Sequence, residues 1–193
     1  GVCRLVESEA DDPQPFHLDP EAAKAAAQGW RATPLRERTQ FLQRFRTLLE
    51  THLERLAHLA ASESGKTVAE GRAGLLKGLE VCDFALSLQN LDSGAHLEVS
   101  RGVTCEYRRE PLGVVAGITP FNFPAMVPLW LFPIAVTVGN AFILKPSEKV
   151  PLTATAMGEL MVEAGYPPGV FSVVHGAKPA VDAILEHPDV KAL

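Results

Sequence analysis

The chain has 193 residues, 47% of them apolar and 21% charged, which is long enough to bury a sizeable core and falls in the ordinary globular class. Eighteen Lys and Arg against twenty-three Asp and Glu give a formal net charge of −5; no basic block is present to track a phosphate backbone or an anionic membrane, so neither nucleic acid nor membrane is expected as a partner. The three cysteines, Cys3, Cys82 and Cys105, are odd in number, widely spaced and without a C-x-x-C or His cluster, which predicts reduced thiols in the cytoplasm rather than a disulfide framework or a zinc site.

The opening GVCRLVESEADDPQPF is acidic and poor in apolar residues, unlike a signal or transit peptide. A first helix is expected over about Pro20 to Gly29, with Asp19 as N-cap and Pro20 at its first position. A longer helix follows: Thr33 caps it, Pro34 takes its first position and Gly65 stops it. Along it Phe41, Phe45, Leu48, Leu49, Leu53, Leu56 and Ala60 form one apolar stripe. A third helix is predicted over Val68 to Leu91, where Gly71, Gly74 and Gly78 fall on one face and allow a close neighbour. The period then changes to two in HLEVSRGVTCEYRRE, which predicts a hairpin with one wet face.

Between Glu110 and Lys145 runs PLGVVAGITPFNFPAMVPLWLFPIAVTVGNAFIL, with no charged side chain. Its length would allow a membrane span, but Pro111, Pro120, Pro124, Pro128 and Pro133 cut it too often for one long helix. Two strands buried on both faces, 113–118 and 141–145, joined by a helix, account for it better; Pro124 suits the first turn of that helix, and Gly139 with Asn140 its stop. Beyond it come a helix over 152–164, a strand at FSVVH, a helix over 178–187 and the start of a strand at 190–193. Alternating strands and helices predict an α/β fold with a parallel sheet and helices on both faces. The chain opens without Met and stops in mid-strand, as a piece of something longer would.

Three places could carry chemistry. SGKT at 64–67 lacks the phosphate loop's first glycine, that position being Ala60, and a helix leads into it instead of a strand; a helix break with a solvent-facing Lys66 is expected, and a phosphotransferase is disfavoured. The turn after the first buried strand, ITPFNFP, has no G-x-G-x-x-G for a pyrophosphate. The next junction, LKPSEK, places Lys145 and Glu148 at the carboxyl end of a parallel strand, where ligands bind and where a donor and an acceptor can share two ribose hydroxyls. On spacing alone, an exposed ion pair of little consequence is the favoured account of them.

The joint occurrence of PFNFP and KPSE at this spacing, with WLFPIA and HGAKPAVDAILEHPDVKAL, resembles the NAD(P)-dependent aldehyde dehydrogenase superfamily, most closely its methylmalonate-semialdehyde, CoA-acylating branch. The likeness covers about Trp30 to Leu193. It implies NAD as cofactor, an aldehyde or semialdehyde as substrate, CoA or water as acyl acceptor, and an oligomer of like subunits. It also implies N-terminal helices over 1–92, an oligomerisation-type hairpin arm over 93–110, and a partial, Rossmann-like NAD-binding unit over 111–193. Asn122 would donate to the oxygen of a tetrahedral thiohemiacetal from an apolar setting, where a preorganised donor is worth most. Lys145 and Glu148 would hold the adenosine ribose, Thr119 and Phe121 would line the cofactor, and Lys149 would contact it weakly. Lys77 stands where the branch uses an arginine for the substrate carboxylate; it keeps the charge and loses the fork, so the substrate is not fixed. The family's nucleophilic cysteine and its base glutamate are expected after Leu193. Cys82 and Cys105 are expected to be small buried thiols. The competing expectation is a non-catalytic relative serving as a binding or subunit-interaction module.

Overall fold

The structure, a computed structural model, describes residues 20–91 and 94–193; Cys3 and the expected cap Asp19 lie outside them. Helix α1 (Pro20–Ala32) runs one turn beyond the expected Gly29. Thr33 is no cap: its hydroxyl bonds back to the Gly29 carbonyl at 3.3 Å, the competition by which Thr closes a helix it could also begin. The expected long second helix is two, α2 (Leu35–Thr51) and α3 (Leu53–Ser64), broken at His52. The apolar stripe continues across the break, with Phe45, Leu49 and Leu56 wholly buried. Gly65 ends α3 in the left-handed conformation at φ 71°, which glycine adopts without steric cost.

Helix α4 (Val68–Leu91) has the expected bounds and packs by its glycines. A Cβ on Gly71 would stand 2.7 Å from the Ala57 carbonyl oxygen of α3, and one on Gly78 would stand 2.2 Å from Leu129 Cδ1. Strands β1 (Ala95–Ser100) and β2 (Val103–Tyr107) form an antiparallel hairpin. It differs from expectation in having no dry face: every residue of both strands is exposed, including Leu97, Val99, Val103 and Cys105. Alternation groups these side chains on one face, but among the described residues nothing covers it.

The uncharged run forms strand β3 (Val114–Ile118), helix α5 (Met126–Thr137) and strand β4 (Ala141–Lys145). Pro124 lies just before α5 rather than in its first turn; the N-cap position is Ala125 and no side chain caps it. Then follow α6 (Pro151–Glu163), β5 (Phe171–Val173) and α7 (Lys178–Glu186). The sheet is parallel in the order β3-β4-β5. On the free side of β3, Val190 bridges Val114, Lys191 N–H donates to the Val114 carbonyl at 2.8 Å, and Ala116 N–H donates to that of Ala192 at 3.0 Å. The first strand of the unit is thus flanked by its second and by the segment at 190–192, so the winding reverses beside β3.

The two-residue period of the strands sorts the core into two layers. Val115, Phe142, Leu144, Phe171 and Val173 face α2 to α6, whereas Val114, Ala116, Ala141, Ile143 and Val174 face α1 and α7. Phe132 meets Phe171 at 4.7 Å between ring centroids and Phe45 at 5.5 Å. Each such side chain, wholly buried, stabilises by roughly 1.5–3 kcal/mol. Arg38, 8% exposed, donates from Nε to the Thr137 carbonyl at 2.7 Å and from Nη1 to those of Trp30 and Thr33. A cation there satisfies orphan carbonyls at the ends of α1 and α5 and complements both dipoles. No helix among the described residues is long and apolar enough to cross a membrane.

Candidate active site

Two strand-to-helix junctions meet at the carboxyl edge of the sheet. Beyond β3 the ladder continues by one bond: Thr119 N–H donates to the Lys145 carbonyl at 3.1 Å, so the turn 119–125 and the loop 145–150 leave the sheet side by side. Thr119 is 5% exposed. A second contact joins them further out, where Lys149 Nζ lies 5.0 Å from the centre of the Phe121 ring. Thr119, Phe121, Lys145, Glu148 and Lys149 are thereby brought together.

Lys145 is the unexpected member. Its side chain is 4% exposed, and among the described residues its ammonium has one protein partner, Glu148 Oε2 at 3.3 Å, on a carboxylate that is 52% exposed. This is not the exposed ion pair that spacing alone allows. A buried ammonium has three donors and is costly to leave underbonded, whereas Glu148 faces outward. The Glu148 carboxyl is held below its ordinary range by its own backbone N–H, then by Lys145 and Lys149, so it stays an anionic acceptor.

Asn122 differs from the expected apolar setting. The residue is exposed, between Phe121 at 53% and Phe123 at 38% exposure. Among the described residues its amide has no hydrogen-bond partner, and it does not cap α5. The donor therefore projects freely from the end of β3, where the winding reverses and where open α/β sheets receive ligands.

Lys77, on α4, stands apart. Its ammonium is held by both Glu80 oxygens at 2.9 Å, and no hydrogen bond or ion pair joins it to the other six. Helix α4 still reaches the neighbourhood, since Gly74 faces Met126 and Gly78 faces Leu129 in α5. Cys82 is wholly buried, and burial pushes its thiol up to about 12, which suits packing and not nucleophilic attack. Cys105 is exposed on the hairpin, contrary to the expectation of a buried thiol.

Sequence reading missed the segment around SGKT. Glu63 accepts the backbone N–H groups of Leu152 at 2.8 Å and Thr153 at 3.0 Å, capping α6 from a different element. Thr67 and Glu70 form a capping box on α4, with Thr67 N–H to Glu70 Oε2 at 2.9 Å and Glu70 N–H to Thr67 Oγ1 at 3.3 Å. Lys66 is half-buried rather than solvent-facing, its Nζ 3.8 Å from the centre of the Phe123 ring. Only the capping box has a sequence signature; the other two contacts join residues distant in the chain.

The model of the aldehyde dehydrogenase family matches residues 9–193. The malonate-semialdehyde dehydrogenase 2 of Geobacillus thermodenitrificans is 47% identical over 173 residues, 89% of this chain and 36% of that protein. The acylating, mitochondrial methylmalonate-semialdehyde dehydrogenase of Arabidopsis thaliana is 45% identical over 179 residues, 92% of this chain and 30% of that protein. The crystal structure of an NAD-dependent aldehyde dehydrogenase from Sinorhizobium meliloti superposes with a TM-score of 0.83 at 32% identity, over 89% of this chain and 36% of that one. The chain spans about a third of the length of the relatives it matches. With the parallel sheet, the two adjoining junctions and a matching family model over nearly all of its length, the chain belongs to the aldehyde dehydrogenase family.

Proposed function

We propose that this chain supplies the cofactor edge and one oxyanion donor of an NAD-dependent dehydrogenase acting on an aldehyde or semialdehyde. The observation that carries the reading is Lys145, buried at the carboxyl end of β4 with a single protein partner among the described residues. Its remaining donors and the outward Glu148 carboxylate match a vicinal diol, one group donating and one accepting. Lys145 and Glu148 would hold the adenosine ribose, with Thr119 and Phe121 alongside and Lys149 keeping the Phe121 ring in place. NAD, when bound, supplies the hydride acceptor. Glu148 also disfavours NADP, because a 2′-phosphate beside an ionised carboxylate is a like-charge pair.

Asn122 has the remaining role. Its amide N–H donates to the oxygen on which negative charge develops when a thiolate adds to the aldehyde carbon. That thiolate and the base that activates it are expected from residues outside this chain, so the 193 residues alone do not turn over aldehyde. Similarity to malonate- and methylmalonate-semialdehyde dehydrogenases supports a substrate carrying a carboxylate, with CoA or water accepting the acyl group. Lys77, whose ammonium is already engaged by Glu80, is the one residue of this chain proposed to contact that carboxylate.

The test is calorimetric titration of NAD into the 193-residue chain, with Lys145→Met beside it. Binding weakened about tenfold or more by the substitution supports the reading. Equal affinity in both proteins would sink it. A second reading, an interaction module, is favoured by the hairpin, whose Leu97, Val99, Val103 and Tyr107 are all more than half exposed. Sedimentation decides it, since a monomer at micromolar concentration would count against any subunit-joining arm.

A further inference from the structure

We infer that Lys66 is a positioning residue, whose ammonium holds the Phe123 ring and through it sets the direction of the Asn122 amide; this rests on the reading of Asn122 as the oxyanion donor. Lys66 Nζ sits 3.8 Å from the ring centre, well within the distance at which a cation is held by an aromatic face. The turn it grips has little of its own to fix it. Among the described residues, no backbone N–H of 121–123 donates a hydrogen bond, and Asn122 has no side-chain partner. The flanking Pro120 and Pro124 restrict φ only at their own positions. What stands on either side of Asn122 is a pair of rings, each under a lysine, Phe123 under Lys66 and Phe121 under Lys149 at 5.0 Å.

Lys66 can act as a fixed point because its own backbone is pinned on both sides. Three residues before it, Glu63 is bonded to the first N–H groups of α6; Gly65 turns the chain at φ 71°; one residue after it, Thr67 is locked into the cap of α4. The same short segment thus fastens α6, which follows the loop of Lys145 and Glu148, and the turn that bears Asn122. The likeness of SGKT to a phosphate loop has a different physical basis here, since its lysine reaches an aromatic face of its own chain.

A ring-held cation at a partly exposed site changes a rate by about two- to fivefold. The decisive experiment is a double-substitution cycle in the whole protein, Lys66→Met and Phe123→Leu, with Lys66→Arg as the conservative control. Each single change is expected to lower kcat about two- to fivefold with the KM for NAD unaltered. The pair is expected to do no worse than either alone, and Lys66→Arg to restore the rate. In the 193-residue chain, the ε-methylene protons of Lys66 should resonate upfield of the other lysines, and Phe123→Leu should abolish that displacement. Additive losses, an unchanged kcat in Lys66→Met, or an unshifted Lys66 resonance would each overturn the inference. Asn122→Ala separates it from the reading it rests on: a normal kcat there removes the oxyanion role, while the Lys66 resonance still reports whether the ring is held.

Discussion

Gly78 of α4 lies directly beneath Leu129 of α5, so close that a Cβ on the glycine would stand 2.2 Å from Leu129 Cδ1 and 2.8 Å from its Cβ. The contact sets the separation of the two helices, and α5 begins where the Asn122 turn ends. Gly78→Ala is therefore expected to lower stability by about 1–3 kcal/mol despite the better helix propensity of alanine. Gly74→Ala, whose Cβ would meet only Met126 Cβ at 3.7 Å, should be neutral or mildly stabilising. Urea denaturation of the two variants checks the contrast; equal effects would refute the packing argument.

If Lys145 and Glu148 hold the adenosine ribose as proposed, Glu148 sets which dinucleotide the edge prefers. Glu148→Gln keeps the acceptor oxygen and removes the charge, so NADP binding should improve relative to NAD by at least about fivefold, with NAD itself weakened less. Titration of both dinucleotides into the variant measures the ratio, and an unchanged ratio would place the 2′ position away from this carboxylate.

Cys82 makes stability fall at alkaline pH. Its folded value is raised from 9.0 to about 12, chiefly by burial, so the folded state keeps a proton that the unfolded chain has released. The stabilisation is complete below pH 9 and is lost as pH rises from 9 toward 12, by up to about 1.4 kcal/mol per pH unit. Burial raises the Tyr166 hydroxyl in the same direction. Cys82→Ala should flatten the stability profile over that window, and iodoacetamide at pH 8 should label Cys105 while sparing Cys82 until the protein unfolds. Early labelling of Cys82 would contradict its burial.

Tyr166 buries a hydroxyl that has no hydrogen-bond partner among the described residues, while its ring packs against Trp30 at 5.6 Å and Phe41 at 5.5 Å between centroids. Removing an unsatisfied buried donor and keeping the ring relieves a desolvation cost. Tyr166→Phe is expected to be neutral or to stabilise by about 1 kcal/mol, read as a melting temperature equal to or above that of the parent. A clear loss of stability would mean that the hydroxyl is satisfied in solution.

Much of the architecture was legible because local chemistry and tertiary context agree. The uncharged run resolves into strand, helix and strand because β-branched residues continue on both faces while prolines prohibit one long helix. Helix α4 was readable to the residue, and its glycine face announced a close neighbour. The break at His52 was not readable, since the apolar stripe passes through it unaltered and α2 and α3 are held to the same core. Thr33 likewise carries the chemistry of a cap but closes α1, because either use satisfies one backbone group.

The residue types at the candidate site, and their places at the ends of β3 and β4, were determined by the sequence alone: Asn122 in its turn, and Lys145 with Glu148 after the strand. Which of them is buried was decided only by the tertiary structure. Lys145 is sealed in and Asn122 left open, the reverse of what an exposed ion pair and an apolar amide would require. The Lys66 to Phe123 contact and the cap of α6 by Glu63 belong wholly to the fold. Periodicity reports which side chains share a face of one element, whereas burial and long-range contact depend on what another element, dozens of residues away, lays across that face.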